Sequence, residues 1–396
     1  MSNDPIVIVI VGAARTPMGG FQGDLGEVAA PALGATAIKA ALERAGIDGA
    51  DVSEVLMGNV LSAGVGQAPA RQATLGAGLP LSTPSTTISK VCGSGMKSVM
   101  MAHDQLKAGN GDILVAGGME SMTKAPYILP KMRAGARMGH AEVIDHMFFD
   151  GLQNAYDGHE LMGNFAENCA GKYEFTRESQ DEFAISSLTK ALAAQKSGAF
   201  EAEIAPVTVS SRKGEVVVSE DEQPKNARPE KIPTLRPAFA KDGTVTAANA
   251  SSISDGAAAL VLMRESDAKA KGLTIRARIV GHQSHAHEPG WFTTAPVPAM
   301  QKLVDKIGWS VGDVDLWEIN EAFAVVTMAA QKDLNIDPGK INIHGGACAL
   351  GHPIGASGAR ILVTLLHALE RTSKTRGVAS LCIGGGEATA VAIEIA

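Results

Sequence analysis

Cys92 stands in the run Val91-Cys92-Gly93-Ser94-Gly95, directly before a segment whose apolar residues recur at helical spacing. A helix N-terminus favours negative charge and lowers a thiol pKa, so this sulfur is a candidate nucleophile. The glycines beside it let a ligand approach the backbone. A buried cysteine in a tight strand–helix turn fits the same residues. Gly351-His352-Pro353-Ile354-Gly355-Ala356-Ser357-Gly358 forms a second glycine-rich turn before a helix. An imidazole beside a thiol can take its proton, although His352 alone reads more readily as a satisfied core histidine. Cys382 ends the apolar run Val378–Cys382 just ahead of Gly384-Gly385-Gly386. Bare backbone N–H groups there can stabilise an oxyanion. A small apolar residue in a buried strand fits Cys382 equally well. Asn320-Glu321-Ala322-Phe323-Ala324 follows an apolar run at Leu316–Ile319. The Asn-Glu pair can position a water or a carbonyl oxygen, or cap the helix that continues from Ala324.

Other signals are weak. Gly384–Gly386 lacks the Lys-Ser/Thr of a phosphate-binding loop, and no G-x-G-x-x-G supports a dinucleotide. His282, His285 and His287 cluster in sequence, but no carboxylate or cysteine spacing completes a metal shell, so an exposed loop and no metal are expected.

The elements that must position these residues alternate. Ile6–Ile10 reads as a buried strand, and Ala35–Ala45 as a helix stopped by Gly46. Val55–Met57 and Asp112–Ala116 read as strands, the second followed by Gly117-Gly118. Between them Met96, Val99, Met100, His103 and Leu106 mark a helix ended by Gly109. Strands alternating with helices imply an α/β fold with a covered sheet. The pattern then recurs. Ala45-Gly46 and Asp51-Val52 are echoed 262 residues on by Ile307-Gly308 and Asp313-Val314, and Ser94-Gly95 is echoed 263 residues on by Ser357-Gly358. Nearly equal offsets predict a duplicated α/β unit. Between the copies lies a region richer in Met, Pro and charge. There Thr176 is expected to cap a helix that buries Ala184, Leu188, Ala191 and Leu192 and ends at Gly198. Val207–Val209 and Val216–Val218 flank Lys213-Gly214 as a hairpin, and Ser219–Lys231 reads as an exposed loop. Such an insertion commonly walls a ligand site.

Composition bounds the reading. The chain has 396 residues, 45% of them hydrophobic and 19% charged, with a net charge of −7. That is ample apolar material for large cores, and no basic block points to nucleic acid or an anionic membrane. The longest clear apolar run, Ile6–Ala14, ends at Arg15, far short of the about 18 residues of a membrane span. No signal-like segment opens the chain, and four scattered cysteines suit a reducing cytoplasmic setting better than a disulfide scaffold.

Taken together and in this order, the Cys92, Asn320-Glu321-Ala322-Phe323-Ala324, Gly351-His352-Pro353 and Cys382–Gly386 segments resemble the signature motifs of the thiolase family. Arg15-Thr16-Pro17 and Asn249-Ala250-Ser251 also match, and the resemblance spans essentially the whole chain. It is nearest to the acetyl-CoA C-acetyltransferase branch. The resemblance implies duplicated thiolase-type α/β/α/β/α halves with an inserted loop domain. The implied division is residues 1–121 plus 253–274, a CoA-binding loop domain at 122–252, and residues 275–396. It further implies that Cys92 is acylated, that His352 takes its proton, and that Cys382 is the acid/base for the second acetyl-CoA. Asn320 would hold a water that makes one oxyanion hole with His352, and the N–H groups of Cys92 and Gly384 would make the other. Leu152, Met162, Lys225, Phe239, Ser251 and Phe323 would line the CoA channel. Acyl-CoA is then the partner, CoA the only cofactor-like molecule, fatty acid metabolism the setting, and a dimer or a homotetramer the assembly. Two positions depart from the family pattern. Leu161-Met162-Gly163 stands where acetyl-specific members carry His-Met-Gly, with His159 displaced, and His344 stands where Asn is usual. A broader 3-ketoacyl-CoA thiolase therefore competes with the acetyl-specific reading. A non-catalytic acyl-CoA or lipid carrier on the same scaffold is the alternative of another class, and the joint presence of Cys92, His352 and Cys382 argues against it.

Overall fold

The computed structural model describes residues 6–156, 158–211 and 214–396. The first half runs β1 (Ile8–Arg15), α1 (Ala30–Ala45), β2 (Glu54–Gly58), α2 (Pro69–Gly76), β3 (Ser85–Ile88), α3 (Ser94–Lys107) and β4 (Ile113–Ser121). Residues 122–253 leave the main sheet and carry α4 (Met162–Tyr173), α5 (Arg177–Lys196) and the hairpin β5 (Val207–Ser211) and β6 (Gly214–Val218). The chain returns as β7 (Ser254–Arg264). The second half follows as β8 (Ala277–Ala286), α6 (Pro296–Ile307), β9 (Leu316–Ile319), α7 (Ala324–Leu334), α8 (Ser357–Thr372), β10 (Arg376–Ile383) and β11 (Glu387–Ile395).

Hydrogen bonding joins both halves into one sheet of order β9-β10-β11-β8-β1-β7-β4-β2-β3, with a two-residue strand at Gly19–Gly20 beside β7. The pattern mirrors itself about the β1–β8 pair. On one side β7 is antiparallel to β4, and β4 is parallel to β2; on the other, β11 is antiparallel to β10, and β10 is parallel to β9. Even the outermost β2–β3 pairing has a counterpart, a single parallel bridge from Trp317 to Ile341. The local echoes agree. Gly46 and Gly308 end α1 and α6 in the left-handed conformation, at φ 66° and 74°, where glycine has no Cβ penalty. Each is followed by a short 3₁₀ turn and then a parallel strand.

Strand alternation sorts the core into layers. Ile8 and Ile10 pack with α3 and α8, whereas Val9 and Val11 pack with α1. Trp317 and Val378 face α6 and α7. The helices α3 and α8 therefore lie between the two halves of the sheet, with α1 outside one half and α6 and α7 outside the other, which makes an α/β/α/β/α stack. The excursion is tied in by buried charge. The Arg15 guanidinium donates to Glu203 Oε1 at 2.5 Å and to Asp221 Oδ1 and Oδ2 at 2.6 and 2.9 Å, and all three residues are buried.

Three expectations change. β4 does not stop before Gly117-Gly118 but runs through both to Ser121, because β2 and β7 pair with it on either side. His282 and His285 lie on β8 rather than in a loop, paired with Val391 and Ala388. The Ser219–Lys231 segment is not simply exposed: it holds a short helix at Glu222–Asn226, and Asp221 is drawn inside by Arg15. In the hairpin, Val207–Val209 pair with Val216–Val218; Lys213 lies outside the described residues.

Candidate active site

Two equivalent corners build the site. Cys92 lies in the turn from β3 into α3. Val91 is held at φ 44°, a strained conformation for a β-branched residue. Ser94 closes the turn, its Oγ accepting from Lys90 N–H at 2.8 Å and donating to the Val91 carbonyl at 2.7 Å. At the second corner, the His352 N–H reaches the Ser252 carbonyl and Ser254 Oγ, each at 3.2 Å. Ser357 Oγ donates to the Pro353 carbonyl at 2.9 Å, so it accepts from His352 Nδ1, 2.5 Å away. That bond places the ring proton on Nδ1 and leaves the Nε2 lone pair free. Nε2 is buried and has no hydrogen-bond partner among the described residues.

Cys382 comes from the end of β10, and Gly384 follows at the turn into β11. Asn320 comes from the end of β9. Its N–H donates to the Ser380 carbonyl at 3.0 Å, while its buried Oδ1 and Nδ2 have no partner among the described residues. Such a side chain has both a donor and an acceptor to give to a water. Glu321 does not cap α7, whose cap residue is Phe323. Instead its buried carboxylate accepts from Ser187 Oγ, Asn342 Nδ2 and Cys348 N–H at 2.7, 2.8 and 3.1 Å, and so braces the segment that carries Asn320.

Cys92, His352, Cys382 and Gly384 line one cavity of about 370 Å³. Leu152, Met162, Phe239, Ser251 and Phe323 line it too. Ser251 is fixed by its N–H to the Ala322 carbonyl, at 2.9 Å, and the Phe239 and Phe323 rings meet edge-on, 6.2 Å apart. Asn320 is not among the lining residues. Lys225 is outside the lining as well; its Nζ pairs with Asp24 at 3.0 Å. Leu161, Met162 and Gly163 give the wall an apolar stretch, while His159 packs on Phe149 instead. His344 does not line the cavity; it is half-buried with its ring edge-on to Phe200.

Electrostatics correct one expectation. The Cys92 thiol is not acidified: burial pushes it up to about 11, against the pull of the N–H groups of Gly384 and of Cys92 itself. Burial likewise holds Cys382 well above an ordinary thiol, and the nearby Cys92 adds to it. His352 is driven down to about 3 by burial, with the Arg360 guanidinium contributing. With both shifts the resting site holds a neutral thiol and a neutral imidazole, since burial disfavours both members of an ion pair. The helix start is too weak to reverse this, because Cys92 precedes even the cap residue, Gly93.

Sequence reasoning assigned Ser357 no role, and it offered Glu321 as a partner of Asn320 or a helix cap rather than as a brace. Their spacing offered a cue, since each lies in a motif already singled out, but their burial and partners do not show in a string. It also missed a grouping of His282 with His103 and Asp104, whose ligand atoms lie within 4.8 Å. The Asp104 carboxylate already sits 2.9 Å from a nitrogen of each imidazole, and His285 and His287 turn elsewhere, to Lys302 Nζ and the Trp291 carbonyl.

Known proteins match the chain along nearly its whole length. Residues 8–266 match the family model described as thiolase, N-terminal domain, and residues 273–395 match the thiolase, C-terminal domain. The chain belongs to the thiolase family. It is 55% identical over 388 residues to the acetyl-CoA acetyltransferase of Escherichia coli, covering 98% of each chain. It is 51% identical over 397 residues to acetyl-CoA acetyltransferase 2 of Arabidopsis thaliana, covering 100% of this chain and 98% of that one. The crystal structure of the Bacillus anthracis acetyl-CoA acetyltransferase superposes with a TM-score of 0.97 at 43% identity and covers all of both chains. Among the described residues of this thiolase, no helix is long and apolar enough to cross a membrane.

Proposed function

We propose that the protein is an acetyl-CoA C-acetyltransferase that joins two acetyl-CoA molecules to acetoacetyl-CoA and CoA, reversibly, through an acetyl group on Cys92. The observation that carries this reading is the shared cavity: Cys92, His352 and Cys382 face one apolar space, and His352 Nε2 is free to accept a proton. The names of the relatives support the acetyl group as the substrate.

In the first half-reaction Cys92 Sγ attacks the thioester carbonyl while its proton passes to His352 Nε2. The same proton then leaves on the sulfur of departing CoA. The oxyanion faces the N–H groups of Cys92 and Gly384, the two backbone donors that favour negative charge on the Cys92 sulfur; losing one such donor typically costs about 3–4 kcal/mol. In the second half-reaction the Cys382 thiol gives its proton to His352 Nε2, neutral again once CoA has left; the resulting thiolate takes an α-proton of a second acetyl-CoA, and the enolate carbon attacks the acetyl-Cys92 carbonyl. The Cys92 sulfur departs and takes a proton from His352, which restores two thiols and a neutral imidazole. An Asn320-held water and His352 serve the enolate oxygen. A thiol that rests protonated suits the reverse step, in which Cys382 gives its proton to the departing enolate. Splitting one hard condensation into two steps predicts ping-pong kinetics. No resident metal or redox cofactor enters the scheme, and Lys225 would have to leave its ion pair with Asp24 to meet a CoA phosphate as a point charge.

We place the enzyme in the cytoplasm, in fatty acid metabolism, and as a homotetramer. The assembly is supported by the open edge of β3 and by exposed Tyr127, Met138 and Tyr156 on the excursion; light scattering reads it directly. The deciding experiment is a chain-length series. Initial rates of thiolysis with acetoacetyl-CoA should exceed those with 3-ketohexanoyl-CoA and longer esters, and intact mass should show one acetyl group on Cys92 after mixing with acetyl-CoA. Preference for the long esters would favour the broader thiolase, for which the apolar Leu161–Gly163 wall is the supporting feature. An unmodified Cys92 would return the carrier reading.

A further inference from the structure

Glu120 lies near the end of β4 with its side chain fully buried. Its Oε1 accepts from Asn59 Nδ2 at 2.8 Å and from the Leu61 N–H at 3.1 Å. Its Oε2 accepts from the Val60 N–H at 3.0 Å and from the Gly355 N–H at 2.9 Å. A carboxylate offers about four lone-pair sites, so every site is filled. Three of the donors come from the turn after β2 and the fourth from the His352 turn, in the other half of the chain.

The carbonyl of the same Gly355 is seated as closely. A Cβ on Gly118 would lie 2.1 Å from the Gly355 oxygen, one on Gly58 2.8 Å from it, and one on Gly95 3.0 Å. Three bare backbones, from β4, the end of β2 and the first turn of α3, leave room that no side chain could share. A Cβ on Gly355 itself would come within 2.5 Å of Glu120 Oε2. This peptide is three residues past His352 and two before Ser357, which orients the ring; Gly95 is three residues past Cys92. Displacing Gly355 therefore carries His352 and Ser357 together relative to the Cys92 corner.

We propose that Glu120 is a positioning residue for the reaction: by holding the Gly355 N–H while gripping Asn59–Leu61, it sets where the His352 imidazole stands relative to the Cys92 thiol. The proposal rests on the catalytic reading of these two residues. Its electrostatic alternative has the opposite sign. A buried carboxylate near Cys92 disfavours the thiolate, so if Glu120 acted through charge alone, neutralising it would speed reactions of the thiol. If it only held up the scaffold, its loss would lower stability and leave the folded enzyme as fast as before.

The test is E120Q, which keeps the shape but sets an NH₂ against N–H donors, together with G118A, which leaves the carboxylate and pushes the Gly355 carbonyl from the other side. Wild type is first shown to acetylate Cys92; failure there removes the catalytic reading itself. With that in hand, kcat should fall about 10- to 100-fold in both variants, the scale of a misplaced reacting group, with KM for acetyl-CoA nearly unchanged. Alkylation of Cys92 by iodoacetamide in the folded fraction should slow in parallel. E120D, too short to reach Gly355 and Leu61 together, should not restore the rate. Alkylation at or above the wild-type rate in E120Q, or a lowered melting temperature with unchanged kcat, overturns the proposal. Should E120Q fail to fold, G118A decides alone by the same readouts.

Discussion

At the scale of single residues, the chemistry depends on groups kept neutral until substrate arrives. Cys92 rests as a thiol because burial raises its pKa from 9.0 to about 11, and His352 rests uncharged because burial lowers its pKa from 6.5 to about 3. The sign is then fixed: between those limits neither group changes charge. Alkylation of Cys92 in the free enzyme should climb steadily with pH through the alkaline range, and a plateau beginning near pH 7 would reveal a thiolate–imidazolium pair instead. The two cysteines should also separate cleanly. Cys92→Ala is expected to abolish acyl transfer, whereas Cys382→Ser should slow condensation far more than acylation of Cys92, as stopped-flow CoA release compared with overall turnover would read. Equal losses in both half-reactions would contradict the acid/base role of Cys382. The residue types that do this chemistry stand out in the sequence because glycine-rich turns frame them. Their acidity does not, since it follows from burial by segments far apart in the chain. Glu120 and Ser357 were invisible for a similar reason: a carboxylate in an apolar strand and a serine at a helix start look ordinary until their partners are in place.

At the scale of elements, local chemistry was readable wherever the chain decides its own ends. Thr176 caps α5, its Oγ1 accepting from the Ser179 N–H at 3.2 Å. Thr176→Ala should lower unfolding free energy by about 1 kcal/mol in chemical denaturation and leave turnover per folded molecule unchanged. Gly46 and Gly308 stop their helices for an equally local reason. The reading failed where neighbours decide. Gly117-Gly118 looked like a strand end, yet both are interior to β4; Gly118 is bare because the Gly355 carbonyl presses against it. His282 and His285 looked like loop residues because they are polar, yet β11 pairs with that stretch. A polar composition says little about a strand whose ladder partner lies a hundred residues away.

At the scale of the whole molecule, the duplication was legible from two matching offsets, while the way the excursion is bolted on was not. Arg15 leaves β1 to meet Glu203 and Asp221 from two separate parts of the excursion. Arg15→Ala would strand two buried carboxylates, and the expected cost is about 3–5 kcal/mol, read as a fall in the denaturation midpoint. Little change there would mean that water replaces the guanidinium. The stacking of layers has a further consequence. The helices that begin at the two reactive turns are clasped between the sheet halves, so they have almost no freedom to drift as the protein diverges. The chamber's outer wall comes from the excursion, which lies outside the sheet and is bolted to it at Arg15. Variation can therefore reshape what the enzyme admits while the engine beneath stays the same.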